Sequence, residues 1–189
     1  MKPATLLAAL LVLSACGSAR TDYYTLSVVD APSDPATGAG CRQPLMVSRV
    51  LLPGILDRQN LVSSAGGGRL DISGQARWAA PLDQMIEGVL SEDLRRRLPP
   101  GRVLAAGDPQ PAGGSARIAV NVLRFMPEAD GSVTLRADWT LFDSSGRVVR
   151  TRPQAFTTPQ AGNPEDAVRA MSRLIGQLAD VIVASLGGC

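Results

Sequence analysis

The side chains of this 189-residue chain that could do chemistry are few, and three of them are cysteines. Cys16 follows an apolar run, Cys41 lies in a segment rich in proline and glycine, and Cys189 is the last residue. The sequence has no histidine, and its single lysine is Lys2. Ser-His-Asp triads, His-ligated zinc, Schiff-base lysines and phosphate-loop lysines each need one of these residue types. Downstream of Lys2, the composition therefore excludes all of them.

Cys16 is the cysteine with the most informative surroundings. The apolar run from Ala4 to Leu13 follows the basic Lys2, and the small residues Ser14 and Ala15 come directly before the cysteine. A charged start, an apolar centre and a small-residue cleavage site are typical of a secretory signal. The run is too short for a membrane-spanning helix, which needs about 20 apolar residues.

The stretch Leu13-Ser14-Ala15-Cys16 resembles the bacterial lipoprotein signal. In that family the cysteine thiol takes a diacylglycerol, the chain is cut before the cysteine, and the new amine is acylated with a fatty acid such as palmitate. The resemblance implies cleavage between Ala15 and Cys16 and lipid attachment at Cys16, and two or more acyl chains give stable membrane anchoring. Gly17, where an Asp would favour the inner membrane, implies the periplasmic face of the outer membrane. The alternative is an ordinary signal peptide that holds a cysteine.

The domain organisation follows from this reading. Residues 1–15 are the predicted signal peptide, residues 16–21 the lipidated tether, and residues 22–189 a single domain, which is long enough for a substantial core. Without Lys2 the chain carries 18 arginines against 17 carboxylates. Because this balance is close to neutral, it gives no long-range attraction to nucleic acid.

Cys41 and Cys189 are an even pair of thiols in a chain predicted to reach an oxidising compartment. A disulfide between them is one interpretation, and free thiols or an intermolecular bridge are the others. We expect no metal site, since two isolated thiols lack the ligand count. No cofactor is predicted either.

The distribution of apolar and turn residues predicts strands and two long helices. One helix begins at Pro81 and is ended by Pro99-Pro100-Gly101, and the other begins at Pro164 behind the cap Asn163. The resulting fold class is α+β, a mostly antiparallel or mixed β-sheet with both helices on one face. The predicted strands cover 22–29, 45–53, 59–64, 69–73, 102–106, 116–127, 132–143 and 147–158.

Three segments together resemble a known family. They are YYTL (23–26), LLPGILDRQNLV (51–62) and ARWAAPLDQMIEGVLSEDLRRRLP (76–99). Their order and spacing after a lipoprotein signal are similar to those of the PqiC/YmbA family of ABC-type transport auxiliary lipoproteins. The resemblance covers essentially all of the chain after the signal.

The resemblance implies a non-enzymatic accessory role in moving lipids or other hydrophobic molecules between the inner and outer membranes. The implied partners are a periplasm-spanning MCE-domain protein and either an ABC transporter or a tetraspan membrane component. It leaves open a homo-oligomer, because the partner proteins in such systems are rings. The alternative function is a stand-alone periplasmic lipid-binding module with an apolar pocket between the helices and the sheet. An envelope hydrolase is disfavoured by the missing histidine and lysine.

Candidate docking residues lie within these segments. Asp57 and Arg58 are interpreted either as a turn ion pair or cap, or as a partner surface, since binding residues concentrate on loops. Trp78 is interpreted as a core or hinge aromatic at the helix entry, or as a partner contact.

For two further groups of charged residues, the favoured interpretation is that they have no functional role. The run Arg95-Arg96-Arg97 is expected to be a solvated helix end, with lipid headgroups or an acidic partner as the alternative. No catalytic residues are predicted, since the carboxylates do not form a convincing acid pair. These carboxylates are Asp71, Asp83, Glu92 and Asp93.

Overall fold

The computed structural model describes residues 20–31, 43–105, 107–159 and 162–186. The predicted cleavage site at Ala15, the lipid attachment at Cys16 and the pairing of Cys41 with Cys189 lie outside the described residues. These three remain predictions.

The described chain alternates between strands and two long helices. Both predicted helices are present, and the α+β class is confirmed. In chain order the elements are β1 (Asp22–Tyr24), β2 (Leu45–Leu51), β3 (Asn60–Gly66), β4 (Arg69–Trp78), α1 (Leu82–Arg97), β5 (Ala116–Pro127), β6 (Ser132–Phe142), β7 (Val148–Pro159) and α2 (Pro164–Ser185).

The strands form two sheets. A small sheet has the order β1-β4-β3, and a larger one has the order β2-β5-β6-β7. Strand β1 runs parallel to β4 and β2 runs parallel to β5, whereas the three other pairings are antiparallel. The mixed sheet that the sequence predicts is thus divided into two.

The core lies between the larger sheet and the helices. Along β6 the residues Val133, Leu135, Ala137, Trp139 and Leu141 are buried, and the residues between them are not. Helix α2 packs on β5, β6 and β7, while α1 packs on β2 and on α2. One face of the larger sheet is therefore covered by both helices, as predicted.

Helix α2 begins where its sequence signals predict. Asn163 is extended and caps the helix, and its Oδ1 accepts a hydrogen bond of 2.9 Å from the Asp166 amide. Pro164 occupies the first turn together with Glu165 and Asp166. The proline lacks an amide that would need a partner there, and the two carboxylates favour the positive end of the helix dipole.

Three predicted strands differ by more than two residues in the structure. The first strand ends at Tyr24 instead of residue 29, and the predicted strand at 69–73 continues to Trp78 as β4. The described residues 102–105 of the predicted strand at 102–106 form only a single bridge, between Leu45 and Val103. Residues 25–31, which we call the strap, cross the two helices instead. The Ser27 and Val29 amides donate to helix side chains, so these two amides are not available to a strand ladder. None of the described helices is long and apolar enough to span a membrane.

Candidate functional site

The three motif segments meet at one corner of the molecule, which we call the motif corner. Tyr24 lies opposite Trp78 in the β1–β4 pair, and the Ala79 amide donates to the Tyr24 carbonyl over 2.8 Å. The Trp78 amide donates to the Gln59 carbonyl over 2.6 Å, which ties the 53–59 turn to the end of β4. Segments that are distant in sequence, such as those of Tyr24 and Trp78, therefore form one local structure, and helix α1 begins directly beyond it.

The side chains of the motif corner divide into a buried set and an exposed set. Leu26, Leu56, Trp78 and Leu82 belong to the core. Tyr23, Asp57 and Arg58 are exposed, and the exposed fraction of Tyr23 is 65%. The buried set explains how the motifs hold the corner together, and the exposed set is what the corner presents to other molecules.

Asp57 and Arg58 lie side by side in the 53–59 turn. The turn is closed by its own backbone, since the Leu56 amide donates to the Pro53 carbonyl over 2.8 Å and the Arg58 amide donates to the Leu56 carbonyl over 2.9 Å. Neither charged side chain forms an ion pair with any residue in the described part of the chain. The turn therefore does not depend on a bond between these two charges.

Trp78 is 4% exposed and lies beneath the motif corner. Its backbone pairs with both β1 and the 53–59 turn, whereas its ring packs in the core. Trp78 is therefore a core residue that ties the exposed turn to β1.

The strap is fastened to both helices by three polar contacts. The Ser27 amide donates to Ser172 Oγ over 3.1 Å, and the Val29 amide donates to Asp93 Oδ1 over 3.0 Å. Arg96 Nη1 then donates to Asp30 Oδ1 over 3.1 Å. The segment that follows β1 therefore bridges α1 and α2.

A buried charge network lies under the strap, and the sequence interpretation missed it. Asp93 is fully buried, and Arg97 Nη1 donates to the Asp93 carbonyl over 3.0 Å and lies 3.4 Å from Asp93 Oδ1. Arg97 Nε also donates to Asp180 Oδ1 over 2.6 Å. Asp93 Oδ2 has no partner in the described structure. Burial raises the pKa of Asp93 above its ordinary value, against the opposing effects of the Val29 amide and the Arg97 charge.

The interpretation of Arg95-Arg96-Arg97 as a solvated helix end is wrong for Arg97. The Arg97 side chain is 5% exposed, against 36% for Arg95 and 44% for Arg96. The sequence contains a signal for this burial. The steps of three and four residues through Ile86 and Leu90 continue to Asp93 and Arg97, which places both charges on the apolar stripe of α1.

The strap needs a glycine beneath it. A Cβ atom at Gly176 of α2 would collide with Val29 Cγ2 and would approach Arg97 Nη2 to 3.4 Å. We expect Gly176→Ala to displace the strap, because the new methyl group needs the space that Val29 fills. The overpacking cost of about 1–3 kcal/mol is offset in part by a gain in helix propensity of about 1 kcal/mol. Hydrogen exchange at the Ser27 and Val29 amides measures the displacement, and it should become faster by at least tenfold.

The control for this substitution is Gly88→Ala in α1. Gly88 is also inside a helix, but a Cβ there meets nothing within 4 Å. This variant should be stabilised by about 1 kcal/mol and should leave the exchange of the strap unchanged. Equal exchange rates in the two variants would contradict the close contact between Gly176 and Val29.

The apolar stripes of both helices are used for packing. Buried residues of α1 and α2, among them Ile86, Leu90, Leu174 and Leu178, belong to one continuous core with the larger sheet. The stripes that would line a lipid pocket are thus filled by protein. No group of three or more His, Cys, Asp or Glu residues that could hold a metal ion occurs among the described residues.

The comparisons with known proteins agree with this arrangement. The family model for the ABC-type transport auxiliary lipoprotein component matches residues 24–183, which include nearly all of the motif corner, the strap, α1 and all but the last two residues of α2. The chain belongs to this family. Its description is that of a transport component, and no enzymatic activity is part of it.

A relative supports the same membership, and solved structures share the fold. The intermembrane transport lipoprotein PqiC of Escherichia coli (strain K12) is 30% identical to this chain over 145 residues, which cover 75% of this chain and 74% of the relative. Among crystal structures, an uncharacterized protein covers 89% of this chain with all of its own length, at a TM-score of 0.75 and 22% identity. A Xanthomonas campestris protein covers 87% of this chain with 95% of its own, at a TM-score of 0.69 and 21% identity. These two likenesses show that the fold is shared.

Proposed function

We propose that this chain is a non-enzymatic auxiliary lipoprotein of an intermembrane transport system, and that it acts by membrane anchoring and partner docking. The single observation that carries the proposal is the motif corner, where the three family segments meet and present an exposed turn. The name of the Escherichia coli relative, an intermembrane transport lipoprotein, supports the transport role.

The anchor in this proposal is acylated Cys16, at the periplasmic face of the outer membrane. Residues 1–15 would be removed, residues 16–21 would form the tether, and the α+β domain would follow from residue 22. Seven residues separate Cys16 from Tyr23, and seven extended residues span at most about 25 Å. The domain would therefore stay close to the lipid surface.

The partner in this proposal is a periplasm-spanning MCE-domain protein. That protein would in turn meet an ABC transporter or a tetraspan component in the inner membrane. The lipoprotein would hold the outer-membrane end of a route for lipids or other hydrophobic molecules. The lipoprotein would contribute by binding the partner and holding it at the membrane, and it would catalyse no reaction.

The 53–59 turn is the proposed docking surface of the motif corner. Asp57 and Arg58 are exposed and carry opposite charges, and neither is engaged in an ion pair with a described residue. Charges that are free in the monomer can pair with a partner without first breaking an internal bond. Trp78, which holds the turn from below, would fix its geometry.

Exchanging the two charges tests this surface. Asp57→Arg combined with Arg58→Asp keeps the net charge and should reduce recovery of the MCE-domain partner at least tenfold, because both pairings become repulsive. The measurement is co-purification of the two proteins from membranes extracted in mild detergent. Arg69→Asp combined with Asp71→Arg makes the same exchange at exposed positions of β4 and should leave recovery unchanged. Recovery of the unaltered chain as a monomer alone would contradict the proposed function itself.

A further inference from the structure

The larger sheet has a second face, opposite the helices. Along β2 and the first half of β5 no described helix or strand packs on it, and Gln110 of the loop before β5 contacts Met46 there. We call this second face the outer face. Register places Met46, Arg117 and Phe142 in one row across it, and Arg49, Ala119 and Thr140 in the next. Arg136 lies further along β6 on the same face.

Three arginines of the outer face have no carboxylate partner within the described chain. Arg49, Arg117 and Arg136 are exposed, and none of their side chains forms an ion pair or a hydrogen bond with any residue in the described ranges. Asp138 is the one carboxylate among the described strand residues of this face. The outer face therefore carries net positive charge on a chain that is close to neutral. Arginines that do pair with carboxylates in the described chain are Arg20, Arg95, Arg96, Arg97, Arg124, Arg147 and Arg169.

Apolar side chains and shallow grooves accompany these charges. Leu51, Leu123 and Val148 on this sheet are 49%, 50% and 61% exposed. Two open grooves of about 450 Å³ and 350 Å³ share Ser48 and Arg117 in their linings. Arginine is among the residue types that are enriched in protein interfaces relative to ordinary surface.

We propose that the outer face binds an acidic, extended segment of a partner protein. Arg49 lies opposite Ala119, and Arg117 lies two residues before Ala119 on the adjacent strand. Strands lie about 4.8 Å apart and alternate residues about 6.6 Å apart along a strand, so the Cα atoms of these diagonal neighbours are about 8 Å apart. Alternate residues of an extended chain are about 6.6 Å apart. Carboxylates at alternate positions therefore match the two guanidinium groups, and the residues between them face away from the sheet.

A protein segment fits this face better than a membrane surface does. Recognition of anionic lipid uses clusters of about four to eight basic residues. The outer face offers three arginines without a carboxylate partner, interrupted by Asp138, and a fourth, Arg124, that is already paired with Glu128. Planar guanidinium groups pair with carboxylates through two parallel hydrogen bonds, so a few spaced arginines suit a polypeptide.

The inference rests on the proposed function only in assuming that the chain docks to another protein. Its test uses a fluorescent peptide of twelve glutamates and not the transport partner, so either idea can fail alone. The full lipoprotein is extracted in a non-ionic detergent and titrated at low and at moderate salt. Arg49→Glu combined with Arg117→Glu should weaken peptide binding at least tenfold. Arg69→Glu combined with Arg152→Glu, which removes the same charge from exposed positions elsewhere, should change it less than twofold.

Several results would overturn the assignment. Equal weakening in the two variants would mean that net charge alone drives binding, and no binding by the unaltered protein would remove the site. A third is unchanged peptide binding in the outer-face variant combined with lost binding to vesicles that contain phosphatidylglycerol, which would make the face a membrane surface. A fourth is unchanged peptide binding combined with a lower oligomeric state in sedimentation, which would make it a contact between copies of this chain.

Discussion

Arg97→Leu is expected to destabilise the domain by about 3–5 kcal/mol, because it leaves a buried carboxylate without its counter-charge. Asp93 is fully buried, and the Arg97 guanidinium is the cation that contacts it. A domain of this size has a total stability of about 5–15 kcal/mol, so the loss is a large part of it. The measurement is the urea midpoint of unfolding, followed by far-ultraviolet circular dichroism.

The adjacent arginine supplies the matched control. Arg95 is 36% exposed and pairs with Glu92 over 3.1 Å on the surface of the same helix turn. Arg95→Leu should therefore change the free energy of unfolding by less than about 1 kcal/mol. Equal losses of unfolding free energy in the two variants would mean that the buried Arg97 network stabilises the domain no more than the surface ion pair of Arg95 does.

A second variant separates charge from packing. Adding Asp93→Asn to Arg97→Leu removes the buried charge while an acceptor oxygen remains for the Val29 amide. The double variant should recover at least half of the lost stability, because the penalty arises from the unpaired charge. A double variant as unstable as Arg97→Leu would indicate lost packing of the arginine stem instead.

The pH dependence of this effect has a definite sign. The pKa of Asp93 is raised in the folded state, because burial favours the neutral acid. A raised folded pKa means that the native state binds the proton more tightly than the unfolded chain. This contribution to stability is present below the unfolded pKa and is lost as the pH rises through the folded pKa. Without Arg97 the shift should increase, so Arg97→Leu should be less destabilising at about pH 5 than at about pH 8.

The parts of the fold that sequence predicts well are those with local causes. The cap Asn163 and the following Pro164 determine the start of α2, since both act within one helical turn. Alternation over 132–142 identifies β6 because one face of that strand is fully covered. The hairpin at Asp130-Gly131 joins β5 to β6, and Gly131 has the positive φ of 81° that a glycine permits.

The parts that sequence does not predict depend on contacts between distant segments. The division into two sheets follows from the parallel pairing of β1 with β4 and of β2 with β5, and neither pair is adjacent in the chain. The strap contains Val28 and Val29, which suit a strand by composition. It is diverted because Asp93 and Ser172 accept the amide hydrogen bonds that a neighbouring strand would otherwise take.

The candidate site shows the same contrast. Order and spacing of the three motifs indicate the family, but only the fold shows that the segments meet at one corner, with Trp78 inside and the Asp57-Arg58 turn outside. The outer face shows this contrast more strongly. Its arginines are far apart in sequence and belong to different strands, so no local pattern marks them as a group.

Replacing Cys16 is expected to have the largest effect on where the protein works. Cys16→Ser removes the thiol that would take the diacylglycerol, so the chain should remain unprocessed and unlipidated. It should keep residues 1–15, lack acyl chains and be absent from the outer-membrane fraction. Membrane fractionation with intact-mass measurement of the chain reads all three properties at once. The fold should be unaffected, because the described domain begins after the tether.

The control for Cys16→Ser is Cys41→Ser, which removes a different thiol and should leave maturation and fractionation unchanged. A Cys16→Ser chain that is cut normally and still sediments with outer membranes would contradict the anchor. Gly17→Asp gives an independent arm, since it should retain the acyl chains but move the protein to the inner membrane. In that variant the outer face and the motif corner would both be intact but at the wrong membrane. Loss of transport in it would therefore show that the function depends on position as well as on docking.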